Sequence, residues 1–170
     1  EGLEVCRDYH IQMPMQSAFI GWKQEPDDYL ERILGHDRLE KLNPIRTFRD
    51  NGIVVSFGSD APCTTPDPIA WMDRAVNNGN AGQAVSVQDA LRMCTYNGAW
   101  AAFDEQERGS LEAGKIADMA VLSENPYTVP KERIKDIRVE RLYLGGKPYE
   151  SCRENILPMM LRGLTSRNKA

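Results

Sequence analysis

The chain has 170 residues, 41% of them apolar and 27% charged, with no internal repeat or low-complexity tract. That is enough for one ordinary globular domain or for parts of two. A formal charge of −4 argues against nucleic acid or an anionic membrane surface as partner, and no apolar run approaches the length of a membrane span.

Residues 1–9 read as the end of a helix, with Leu3, Cys6 and Val5 on its inner side. Residues 10–16 follow as a short extended segment. Pro14 within it excludes a central place in a regular antiparallel ladder and marks a strand end or bulge. His10 reads as a loop histidine rather than a ligand or base, since no second His or carboxylate stands at ligand spacing. Residues 17–35 form a loop with the aromatics Phe19, Trp22 and Tyr29. The spacing of Tyr29, Leu30, Ile33 and Leu34 predicts one or two helical turns. The acids Glu25, Asp27, Asp28 and Glu31 then read as a solvated helix start, not a metal site. Residues 38–48 predict a helical stretch interrupted at Pro44 and stopped at Asp50-Asn51-Gly52. His36 reads as surface.

Residues 53–57 are a short apolar, β-branched run bounded by glycines, the pattern of a strand buried on both faces in a parallel sheet. Asp60 follows, between two small residues and Pro62. Two readings of it stay open at this point. It caps the turn or helix that comes next, or it is a chemical group at the C-terminal end of a parallel strand, where barrel and open-sheet enzymes keep theirs. Residues 62–68 form a Pro- and Thr-rich loop beside it.

Residues 69–78 predict a helix with Ile69, Met72 and Val76 on one stripe, and residues 77–82 a loop. Ser86 through Asp89 resembles a capping box. Val87, Ala90, Leu91 and Cys94 mark the inner face of the helix it opens. Asn97-Gly98 weakens that helix before a second short one at 99–103. From residue 109 the period changes. A turn and edge run to 114, strands are expected at 116–122 and 137–144, and Gly145-Gly146 turns the second back toward 147–150 as a hairpin. Asp67 and Asp118 read as turn or sheet-edge acids. Residues 151–170 hold a modest apolar patch and a polar tail of disordered character. Cys6, Cys63, Cys94 and Cys152 form no C-x-x-C pair, which excludes a zinc clasp or disulfide framework and suits a reduced, cytoplasmic setting.

Three stretches together resemble the amidohydrolase superfamily. The run from Gly52 through Ser59-Asp60-Ala61-Pro62 is similar to the eighth barrel strand. Residues 90–103 resemble the helix that follows that strand, and residues 109–122 the re-entry into the small β-sandwich beside the barrel. Residues 38–48 resemble the branch called amidohydrolase family 3. The likeness covers roughly residues 5–150, with one departure at Gln16-Ser17, where the branch usually reads Gln-Pro.

The resemblance implies an α/β fold in two parts. Residues 1–108 would be the C-terminal portion of a TIM (β/α)8 barrel, its last two strands with flanking helices. Residues 109–150 would be part of a small antiparallel β-sandwich, and residues 151–170 a tail. Asp60 is then the catalytic aspartate, a metal ligand that serves as general base and acid. Cys63, Thr64 and Thr65, in the next loop, are candidate substrate-binding residues, against a reading as plain loop packing. The family's other ligands have no counterpart here: a His-x-His pair, a Lys or acid, and histidines on two further strands.

The expectation is therefore a C-terminal fragment of a metal-dependent hydrolase acting on non-peptide carbon–nitrogen bonds such as amides. The full-length enzyme would use a divalent metal, zinc in the first place, and a small-molecule substrate. This chain alone would be inactive and bind no metal tightly. The alternative is a non-catalytic regulatory or interaction module derived from such an enzyme. Open strand edges, and helix stripes at Ile69/Met72/Val76 and Val87/Leu91/Cys94 left facing water, predict a homo-oligomer paired through strand edges.

Overall fold

The computed structural model describes residues 2–149, so the expectations for 151–170 fall outside the described residues. The elements run α1 (Gly2–Asp8), β1 (Met13–Met15), a 3-10 turn (Ser17–Phe19), α2 (Asp27–Leu34), α3 (His36–Leu39) and α4 (Ile45–Asp50). Then come β2 (Val55–Phe57), α5 (Pro68–Val76), α6 (Val87–Cys94), α7 (Tyr96–Ala101) and β3 (Met119–Leu122). A second 3-10 helix (Lys131–Asp136), β4 (Val139–Leu144) and β5 (Lys147–Pro148) complete the described chain.

The strands form two separate sheets, β1–β2 and β3–β4–β5. In the first, β1 and β2 are parallel, with Met13 opposite Val55 and Met15 opposite Phe57. The Met13 N–H donates to Val54 C=O at 2.9 Å and the Gly58 N–H to Met15 C=O at 3.0 Å. Odd-numbered residues of β1 thus turn their backbone groups toward β2, and Pro14 sits where its missing N–H would point away. The proline is tolerated because the strand is parallel and its outer side lies at the sheet edge. The outer edge of β2 is met from α7, where Asn97 Nδ2 donates to Val55 C=O at 2.7 Å.

The chain enters β2 through a turn that the sequence states openly. The Gly52 N–H bonds Arg49 C=O at 2.9 Å and the Ile53 N–H bonds Phe48 C=O at 3.0 Å, with Gly52 at φ +74°. These paired bonds make a Schellman motif, which places a glycine in the left-handed region just past the helix. It reverses the chain so that β2 runs alongside β1.

The second sheet is antiparallel, pairing Met119 with Tyr143 and turning at Gly145-Gly146 into β5. Asp118 stands at its edge as expected of a sheet-edge acid: Oδ1 accepts from the Gly145 N–H at 2.8 Å and Oδ2 from Arg108. Helix starts follow their caps. Asp67 accepts from the Ile69 N–H at 3.0 Å to open α5, and the Ser86 hydroxyl accepts from the Asp89 N–H at 3.1 Å to open α6. Asp27 and Asp28 occupy the first turn of α2, so that acid cluster is a solvated helix start.

The core corrects one expectation. Ile69, Met72 and Val76 do not face water; they are buried with Ala90 and Met93 of α6 and with Val55. Ile134, fully buried, and Ile137 join the same cluster. The 3-10 helix that carries Ile134 packs on α5, and Asn77 Nδ2 donates to Lys131 C=O at 2.8 Å to fix its start. On α6 the inner face is Ala90 and Met93, with Val87, Leu91 and Cys94 half-buried beside them. The chain covers these helix stripes itself, so an exposed apolar stripe gives no reason for association. The expected strands are also shorter than read: 119–122 for 116–122, and 55–57 for 53–57.

Candidate site in the loop beyond the second strand

Phe57 ends β2, and residues 58–66 form a loop across the C-terminal end of the parallel pair. Asp60 is exposed at its crest with φ +53°. Among the described residues its carboxylate has no hydrogen bond or ion pair, and the cap of α5 belongs to Asp67. The capping reading of Asp60 therefore falls, while its place past the end of a parallel strand stands. The loop is tied below it. The Cys63 N–H bonds Asp60 C=O at 2.9 Å, the Ala61 N–H bonds Ser59 Oγ at 3.1 Å, and the Thr64 hydroxyl donates to Ser59 C=O. Thr65 C=O accepts from the Trp71 indole N–H at 3.3 Å and from the Asp67 N–H at 2.8 Å.

A cavity of about 570 Å3 opens against this loop, within the range of small-ligand sites. Its walls are residues 61–66, Ala18 and Trp22 from the loop after β1, and Ala70 and Arg74 from α5. Cys63, Thr64 and Thr65 are thus brought together on one wall, and Asp60 stands one residue outside the lining. Trp22 and Arg74 went unnoticed in the sequence as site residues. The one signal was the aromatic cluster of residues 17–35; Arg74 lies one turn beyond Ala70, which puts both on the cavity face of α5.

Arg74 Nη1 donates to Ile20 C=O at 2.6 Å and to Gly21 C=O at 3.0 Å. Gly21 has φ +62°, and a Cβ there would lie 2.9 Å from Arg74 Nη1. The positive φ is what favours glycine here, since the guanidinium could shift to admit a Cβ. Trp22 is held in turn by an edge-on contact with Phe19, ring centroids 4.8 Å apart.

A second cavity, of about 390 Å3, lies at the other end of β2, where Gly52, Ile53 and Val54 meet Arg92, Tyr96 and Trp100. Arg92 stacks 4.2 Å from the Tyr96 ring centre. Asp89 there pairs with Arg49. Burial pushes the Asp89 carboxyl up, but the Ser86 hydroxyl and Arg49 outweigh it and hold it below the usual carboxylate range. Cys94 is the opposite case: burial alone pushes its thiol up to about 12, which leaves it inert as a nucleophile at neutral pH. His10 is exposed, and His36 lies on the surface between Glu31 and Glu40.

The amidohydrolase family matches residues 6–149. An N-substituted formamide deformylase from Arthrobacter pascens is 32% identical over 152 residues, which are 85% of this chain and 26% of that protein. The putative amidohydrolase YtcJ of Bacillus subtilis strain 168 is 27% identical over 124 residues, 67% of this chain and 23% of its own length. Among solved structures, an uncharacterized metal-dependent hydrolase from Pyrococcus furiosus superposes with a TM-score of 0.58 at 26% identity. That match covers 68% of this chain and 24% of the other. The chain spans about a quarter of the length of these relatives.

Proposed function

The chain belongs to amidohydrolase family 3, and from that premise we propose that it supplies the catalytic aspartate and one substrate wall of a carbon–nitrogen hydrolase. In this reading β1 and β2 are the last two strands of the barrel, in residues 1–108. The β3–β4–β5 sheet is part of a β-sandwich in residues 109–150. The carrying observation is Asp60 itself: an exposed carboxylate with no partner among the described residues, past the end of a parallel strand and beside a ligand-sized cavity. Asp67 and Asp118, by contrast, are engaged in a helix cap and at a sheet edge. A carboxylate held out on a tied loop and left unused by the fold suits a group that must be free to take up a proton.

Hydrolysis of an amide needs a proton removed from the attacking water and one given to the leaving nitrogen. Asp60 performs both transfers, first as base and then as acid. The Thr64 and Thr65 hydroxyls and the Cys63 thiol border the cavity and contact the substrate. Family members are metal-dependent hydrolases, and a catalytic zinc takes about three protein ligands. Among the described residues no cluster of three His, Cys, Asp or Glu could hold an ion. Asp60 could give one oxygen to such a metal, and these residues do not otherwise fit it. In this reading the chain alone is inactive.

The same shortage of ligands favours a second reading, a non-catalytic interaction module. One experiment separates them: amide hydrolysis, with N-substituted formamides and added zinc or manganese, by this chain and by the product of its complete reading frame. The chain shows no turnover. The complete product turns over, and Asp60→Asn lowers its rate by about a hundredfold or more. Turnover by the chain alone, abolished by Asp60→Asn, overturns the claim of inactivity. A complete product indifferent to Asp60→Asn overturns the site assignment, and one with no turnover at all favours the module.

A further inference from the structure

Three Asn-Gly pairs occur in the chain, at residues 51–52, 78–79 and 97–98. Glycine carries no Cβ, so the nitrogen after each asparagine is sterically open to its side chain. The fold treats the three differently. Asn51 Nδ2 donates to Thr47 C=O at 2.8 Å, and the Gly52 N–H donates to Arg49 C=O at 2.9 Å. Asn97 lies in α7, where the side chain leans back along the helix, away from the following nitrogen. Its Nδ2 donates to Val55 C=O at 2.7 Å. Asn78 stands in the loop between α5 and α6. Its Nδ2 is buried and has no hydrogen-bond partner among the described residues, a rare state for a buried polar atom. The Gly79 N–H has no partner among the described residues either, and residue 79 is exposed. Of the Asn78 side chain only Oδ1 is held, accepting from the Asn80 N–H at 3.0 Å. The loop is anchored on both sides of this step: Asn77 Nδ2 donates to Lys131 C=O at 2.8 Å, and Asn80 Nδ2 to Glu40 C=O.

We propose that Asn78 is a site of covalent self-modification, where the chain converts this asparagine to aspartate and isoaspartate. The Gly79 nitrogen attacks Asn78 Cγ and a C–N bond forms. The Cγ–Nδ2 bond breaks, and Nδ2 leaves as ammonia with the proton that the Gly79 nitrogen gives up. The five-membered succinimide so formed takes up one water, which cleaves either of the two C–N bonds of the ring. Cleavage at Cγ leaves aspartate, and cleavage at the main-chain carbonyl leaves isoaspartate. One water is consumed and one ammonia released, with no oxidant or reductant. The Asn80 N–H favours the first step, because it meets the oxygen on which negative charge develops. At Asn51 the same attack must first break two hydrogen bonds. At Asn97 it must break one and unwind a helical residue. The inference is independent of the hydrolase reading.

The test is incubation of the full chain at neutral pH followed by peptide mapping in a mass spectrometer, with fragmentation that separates aspartate from isoaspartate. In the folded chain Asn78 converts about tenfold or more faster than Asn51 and Asn97, the kinetic equivalent of two ordinary hydrogen bonds. In strong urea the three sites share one dipeptide chemistry, and their rates converge. Gly79→Ala, at a position where a Cβ meets nothing within 4 Å, loses most of the conversion at residue 78. Conversion of Asn51 or Asn97 as fast as that of Asn78 in the folded chain overturns the proposal. So does a folded chain that keeps Asn78 intact over a period in which the unfolded chain converts it. Both comparisons use the unaltered chain, so they decide the matter whatever Gly79→Ala does to the loop. Neither requires turnover of any substrate, so their outcome leaves the hydrolase reading where it stands.

Discussion

Replacing Asp60 by glycine and by alanine separates what this residue does for the fold from what it does for chemistry. Its backbone lies at φ +53°, a region where a Cβ crowds the following carbonyl and costs roughly 1–2 kcal/mol. Aspartate tolerates that region better than alanine does, so Asp60→Ala lowers stability by about 0.5–1 kcal/mol. Glycine removes the crowding, but its freer unfolded chain returns roughly 0.5–1 kcal/mol. Asp60→Gly is therefore neutral or stabilising by up to about 1 kcal/mol. No contact is lost in either variant, because the carboxylate is exposed and has no partner among the described residues. Urea unfolding followed by circular dichroism reads the order directly, provided the slope is unchanged. The glycine variant should unfold last and the alanine variant first, separated by about 0.5–2 kcal/mol. An alanine variant as stable as the glycine one would refute the reasoning, since it would mean that residue 60 is not held in the left-handed region.

Ile134→Ala should cost about 2–5 kcal/mol, the range for a fully buried large aliphatic side chain; a cost below 1 kcal/mol in urea would mean that the 3-10 helix does not seal α5. Asn97→Ala strands the carbonyl of the buried Val55 and should cost about 1–3 kcal/mol, with faster amide exchange along β2 as the local signature. Asp89 titrates below its unfolded value. Its contribution to stability is thus full above the unfolded pKa of about 3.9 and is lost as pH falls through the lower folded value. Asp89→Asn should flatten the stability–pH curve in that acid window and leave its shape near neutrality alone, as thermal melts from pH 2 to 7 would show.

What could be read in advance was local punctuation and period. Gly52 after Asp50-Asn51 announces a helix stop whose two bonds the structure contains, and Ser86 stands where a helix cap belongs; Asp67, which reads as a turn or sheet-edge acid, is instead the cap of α5. The β-branched run before Asp60 marks a parallel strand, since apolar residues in succession suit a strand covered on both faces. The hairpin at Gly145-Gly146 was legible for the same reason. The 3-10 helix at Lys131–Asp136 was not: one isoleucine among charged residues has no period, and its burial depends on α5, which lies far away in sequence. The cavity was hidden likewise. Trp22, Arg74 and the Thr64-Thr65 pair come from three separate segments, and only the parallel pairing of β1 with β2 sets their loops side by side. The expectation that α5 would present its stripe to water failed because Ile134 and Ile137 come back to cover it.

The seating of Ile134 on α5 bears on how such a chain can be inherited. A crossover near residue 109 that imported a different small sheet would bring a different connection between its first two strands. Met72 and Val76 would lose their cover, on the helix that begins directly after the loop of Asp60. The sheet that lacks the candidate catalytic residue would then alter the site from a distance. Viable exchanges should retain the 131–137 segment together with the 68–76 helix, so that selection meets these two stretches as one heritable unit although more than fifty residues separate them.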